Sequence, residues 1–75
     1  MKIGRIVRLT WKEDKHYIVI LQVKTKDTRM KPVTYSGIVI SNPERDTYIG
    51  EEFWFNSRYW NIEILKKDKA FLEIL

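Results

Sequence analysis

The 75-residue chain has no cysteine, a single histidine, two prolines and three glycines. Each scarcity excludes something. Without cysteine neither a disulfide framework nor a thiolate metal site can form, and the compartment reads as cytoplasmic. His16 alone makes neither a metal site nor half of a catalytic triad, and it stands beside an expected hairpin turn. Gly4, Gly37 and Gly50 lie far apart, which rules out a glycine-rich phosphate loop. Arg5 and Arg8 interrupt the apolar residues near the start. That segment therefore reads as neither a signal peptide nor a membrane anchor, and no membrane partner is expected.

The acids offer no catalytic pair. Asp14, Asp27, Asp46 and Asp68 all fall in expected turns, where a short carboxylate bonds local backbone. Glu51 and Glu52 are adjacent on an expected strand and so point to opposite faces. The reading is of a protein that is not an enzyme and needs no cofactor or metal.

What the chain does have is apolar and aromatic. Apolar residues make up 44%, rich in Val, Ile, Trp, Tyr and Phe, which suits a compact core in one domain spanning residues 1–75. A chain this short buries only about 60% of its unfolded surface, so most large apolar residues are needed for folding. The net charge of +4 is unevenly spread: residues 1–31 carry nine Lys or Arg against three acids, and residues 32–65 carry two against five. A basic region of that kind attracts nucleic acid, nucleotides or acidic protein surfaces, although charged strand faces also serve solubility.

Residues 3–11 alternate with a period of two, which predicts a strand. Residues 12–15 read as a polar hairpin turn, and residues 16–26 as a second strand with Tyr17, Val19, Leu21 and Val23 on one face and Lys24 and Lys26 on the other. After a loop at 27–31, Pro32 is placed at the start of a third strand over 32–41. Gly37 within it marks a bulge or sharp bend. Residues 41–46 form a loop around Asn42-Pro43, and 51–55 a strand with Phe53 and Phe55 opposite Trp54. Residues 56–60 suit a single helical turn capped by Asn56 or Ser57, before a strand at 61–65, a turn at 66–69 and a last strand at 70–75. Five or six short strands joined by tight turns predict an all-β, closed or partly closed barrel, which would leave fewer exposed edges than an open sheet. The short turn before a late strand favours an SH3-like barrel over an oligonucleotide-binding barrel with its longer helix.

The residues Gly37, Asp46, Tyr48, Ile49, Gly50 and Trp60, together with the opening strand at 3–9, resemble small uncharacterised phage and prophage proteins with SH3-like barrels. The likeness spans about two thirds of the chain in its Gly, aromatic and β-branched positions. It departs from the pattern at Glu51, Glu52 and Phe53, where a polar turn is more usual. The resemblance implies a phage or mobile-element setting and carries over no functional residue.

Ten of the 75 residues are aromatic, and six of them fall between 48 and 60. A small core holds about half of these, which leaves some rings for the surface, either covering the end of the barrel or binding a ligand. Stacking of bases on exposed rings beside cations points to an anionic ligand, single-stranded nucleic acid or a nucleotide. The expected platform is Trp11, Tyr35, Trp54 and Tyr59, with Arg5, Arg8, Lys24, Lys26, Arg29, Lys31 and Arg58 as cations. The rival expectation is a phage-encoded inhibitor or adaptor that binds a host protein, since Trp, Tyr and Arg also dominate protein interfaces. The opposed charges of the two segments suit a homodimer as well.

Overall fold

A computed structural model describes residues 1–42 and 49–66. Five strands, β1 (Ile6–Trp11), β2 (Asp14–Asp27), β3 (Thr34–Ser41), β4 (Glu52–Phe55) and β5 (Trp60–Leu65), form one antiparallel sheet in the order β4-β3-β2-β1-β5. The all-β expectation holds for the described residues. The turn continuing past Lys66, the strand at 70–75 and most of the loop at 41–46 lie outside them.

The turn between β1 and β2 is shorter than expected. Trp11 pairs with Asp14, so only Lys12 and Glu13 connect the strands, and the next pair is Thr10 with Ile18. The polar run 14–16 thus belongs to β2, whose ladder it distorts, rather than to a four-residue turn. Asp14 Oδ1 accepts the His16 backbone N–H at 2.9 Å, which satisfies a donor that the irregular ladder leaves over. The third strand also starts later, at Thr34 rather than Pro32, after a cis Lys31–Pro32 peptide.

Alternation sorts the side chains onto two faces. On the first, Val7, Leu9, Val19, Leu21, Val23, Val39, Phe55 and Trp60 are buried together, with Trp11, Tyr17, Tyr35, Phe53 and Ile62 packed around them. The second face is not simply polar. Ile20 and Leu65 are buried there against Ile6 and Ile18, and Arg8, paired in register with Ile20 and Glu63, makes an ion pair with Glu63 beside them. At roughly 25 cal/mol for each Å² of apolar surface buried, both clusters contribute to holding this small sheet.

Gly37 sits at the sheet's tightest point. A Cβ there would lie 2.3 Å from the Gln22 carbonyl oxygen and 2.6 Å from Leu21 Cδ1. The β2–β3 register shifts between Val23 and Thr25, next to the Val23–Gly37 pair, so the expected bulge lies at this crossing, its extra residue being Lys24 of β2. Gly50 has a different reason: φ of 83° lets its N–H reach the Val39 carbonyl at 2.8 Å.

β4 and β5 stand at opposite ends of the strand order, yet the Phe53 and Trp60 rings meet edge to face at 5.5 Å. The sheet curls until its ends touch through side chains. Among the described residues no ladder joins β4 to β5, so the sheet is open and not a closed barrel. Residues 56–59 are a turn rather than the expected helical one, held by Asn56 Oδ1 accepting the Arg58 N–H at 2.9 Å.

Candidate functional site

The register divides the expected aromatic platform between the two faces. Trp54 pairs with Ser36, which in turn pairs with Thr25, putting all three on the second face. The Thr25 and Ser36 hydroxyls bond to each other at 2.5 Å, and Ser36 is buried while the Trp54 side chain is 55% exposed. Trp54 is therefore held against a satisfied polar pair, with much of its ring in water.

Residues 25–29 and Trp54 line a shallow depression of about 350 Å³. Of the expected cations, Lys26 and Arg29 border this depression. The bulge at Lys24, however, puts Lys26 in the row of Tyr35 and Phe55, so its side chain leaves on the first face instead of the outer one expected, while Arg29 stays on the Trp54 side with Asp27. Lys24 on β2 and Lys31 in the β2–β3 connection are exposed. This hairpin end holds four cations against one acid over residues 24–31. The acid is Asp27, whose Oδ1 accepts the Arg29 backbone N–H at 3.0 Å and whose carboxylate takes two side-chain bonds from the guanidinium at 3.2 and 3.3 Å. Those bonds lower the Asp27 pKa, the side-chain bond from Arg29 being the largest cause. They also hold a 90% exposed Arg29 side chain in one place at the depression's edge.

The other aromatics gather at the mouth of the first face. Trp11 is in register with both Asp14 and Trp60, so these three share one row. Trp11 meets Trp60 edge to face at 4.8 Å, and Tyr17, from the distorted start of β2, tilts onto Trp60 at 5.7 Å. Tyr59 stacks on Trp11 at 6.0 Å, and Arg58 lies over the Tyr59 ring at 5.8 Å. The Lys12 N–H donates to the Tyr59 carbonyl at 3.1 Å, which anchors the β4–β5 turn to the first hairpin.

The remaining expected site residues go elsewhere. Tyr35 is half-buried and stacks on Phe55 at 5.5 Å, packed on the core. Arg8 is engaged with Glu63. Arg5 is exposed beside Gly4, Ile6, Gln22 and Leu65, where the second apolar cluster ends. Of the eleven residues, the structure brings together Trp54 and Arg29 in one depression, with Lys26 at its border but facing the other way, and Trp11, Tyr59 and Arg58 in one stack. It does not unite the two groups. Sequence reasoning missed Asp14, Tyr17 and Trp60 as members of the second group. The signal was the two-residue Lys12-Glu13 turn, which places Asp14 across from Trp11.

Among the described residues no group of three His, Asp or Glu side chains could hold a metal ion, and no helix is long and apolar enough to cross a membrane. No protein-family model, curated protein or solved structure matches the chain. Among the described residues the fold is a curled five-stranded antiparallel sheet with an aromatic depression on each face.

Proposed function

We propose that this is a non-enzymatic binding module for single-stranded nucleic acid, with a free nucleotide as the smallest ligand it would accept. The observation that carries the reading is Trp54, 55% exposed on a strand and lining the same depression as Arg29. A ring fixed on a strand presents its face without the entropy loss of ordering a loop, and base stacking on such a ring is worth ~1–3 kcal/mol. Arg29 then meets a phosphate beside the stacked base, and Thr28 belongs to the same lining. Strand order β4-β3-β2-β1-β5 and the short β4–β5 turn support an SH3-like arrangement for the scaffold.

The test is binding of the purified chain to labelled single-stranded and double-stranded oligonucleotides at two salt concentrations. Single strands should bind more tightly. With about three phosphates contacted, affinity should fall on the order of tenfold between 50 and 200 mM salt. Absence of binding to either form at low salt would sink the reading. A phage-encoded inhibitor or adaptor that acts on a host protein is the second reading, favoured by Tyr59 and Ile64, 50% and 51% exposed at the β5 side of the sheet. Its interface would be insensitive to salt by comparison.

A further inference from the structure

Trp11, Tyr17, Trp60 and Asp14 line a second open depression, of about 370 Å³, on the opposite face of the sheet from Trp54. The row Asp14–Trp11–Trp60 sets its shape. Trp60, buried to 7% exposure, forms the floor, and Trp11 and Tyr17 each pack on it at 70° and 51° to its plane. Three rings thus meet around one space at steep angles, an arrangement that presents π surface from several directions. Tyr59 stacks on Trp11 without belonging to the lining, and so supports that wall from behind.

Two features select the charge and type of occupant. The faces of Trp and Tyr rings are negative and attract cations, and among the described residues the one charged member of the lining is a carboxylate, Asp14. Among the described residues no Lys or Arg lines it, unlike the depression at Trp54. The Asp14 carboxylate spends one acceptor position on the His16 N–H and keeps the others, so it can face a cation as a counter-charge. The ring walls themselves offer no conventional acceptor, and an ammonium with several N–H donors loses hydration against them that they cannot replace. A methylated ammonium has few or no N–H donors to satisfy, and its methyl groups pack on the rings.

We infer that this aromatic box is a binding site for a methylated or quaternary ammonium group, with Trp11, Tyr17 and Trp60 as the cage and Asp14 as its counter-charge. The site is independent of the nucleic-acid reading, since it uses other residues on the other face. The headgroup can come from a free small molecule such as choline or from a trimethylated lysine on a protein.

The experiment is a titration of the full chain followed by the indole N–H signals in two-dimensional NMR. The probes are choline, a trimethyl-lysine peptide, and 3,3-dimethylbutanol as the neutral isostere of choline. Choline or the peptide should shift the Trp11 and Trp60 signals saturably and leave Trp54 in place. The neutral isostere should bind about threefold or more weakly, because it lacks the cation–π attraction. Asp14→Asn keeps an oxygen for the His16 N–H and should preserve the folded spectrum, while weakening the cation about threefold or more. Tighter binding of the peptide would identify a protein-borne headgroup, and equal or tighter binding of choline a free one. The proposal is overturned if neither cation gives a saturable shift at millimolar concentration, if the neutral isostere binds equally well, or if an oligonucleotide moves these two indoles instead.

Discussion

Trp54 and Trp60 stand six positions apart, on consecutive strands, and do opposite things. Trp60 is 7% exposed and touches Trp11, Tyr17 and Phe53, joining the two ends of the curled sheet. Trp54 is 55% exposed and rests beside a hydroxyl pair. The difference arises from the pleat and the curl. Phe53 and Phe55 face the core, so Trp54 between them must face out, whereas the turn at 56–59 brings Trp60 back onto the inner face beside Trp11. Residue type is the same at both positions, and the strand register alone puts one ring in the core and leaves the other in water.

Substitutions at these two rings should separate cleanly. Trp60→Ala should cost ~3–5 kcal/mol of stability, since it empties the floor of the box and unties the sheet's ends. A small domain has about 5–15 kcal/mol in total, so the variant should be largely unfolded at elevated temperature by circular dichroism. Gly37→Val comes next. Its branched side chain would press into the Gln22 carbonyl and Leu21, and should cost ~1–3 kcal/mol or more, read as a lower denaturation midpoint. Trp54→Ala should alter stability by no more than about 0.5 kcal/mol. Its effect should appear in binding instead, as a loss of ~1–3 kcal/mol in affinity for single strands. A melting temperature that collapses in Trp54→Ala would break the comparison by returning that ring to the core.

The smallest expected effect concerns the ion pair at the edge of the Trp54 depression. Arg29 holds the Asp27 pKa below its ordinary value of 3.8, chiefly through the side-chain bond. A carboxylate whose folded pKa is lowered stabilises the fold above its unfolded pKa, and the contribution disappears as pH falls through the lowered value. Arg29 is exposed and Asp27 lies partly exposed at the surface, so the pair is screened and global melting should not register the change. An NMR titration should find Asp27 protonating below 3.8, and Arg29→Ala should move it back up.

Much of the fold was legible because alternation is a local property. The inward positions Val7, Leu9, Val19, Leu21, Val23 and Phe55 follow directly from a period of two, as does the outward Trp54. Gly37 signalled its bulge because a glycine within a β-branched run has few other reasons to be there. The second apolar cluster was hidden: Ile18 and Ile20 sit in a continuous apolar run, where both faces are covered and alternation carries no information. The candidate site was legible only as a set of residue types. Arg8 and Tyr35 were candidates along with Trp54, their faces left open by the sequence, and are engaged with Glu63 and Phe55, pairings across strands that depend on register. The aromatic box was missed because the turn is two residues shorter than expected, and the length of the Lys12-Glu13 turn decides whether Asp14 faces Trp11.

The central claim is that Trp54, with Arg29 beside it, receives a base and a neighbouring phosphate. The most direct measurement is the indole N–H region of the NMR spectrum while a short single-stranded oligonucleotide is added at low salt. The account predicts that the Trp54 signal shifts and broadens with the amides of residues 25–29, and that Trp11 and Trp60 stay in place. Shifts confined to Trp11 and Trp60, or no shift at any indole, would contradict it.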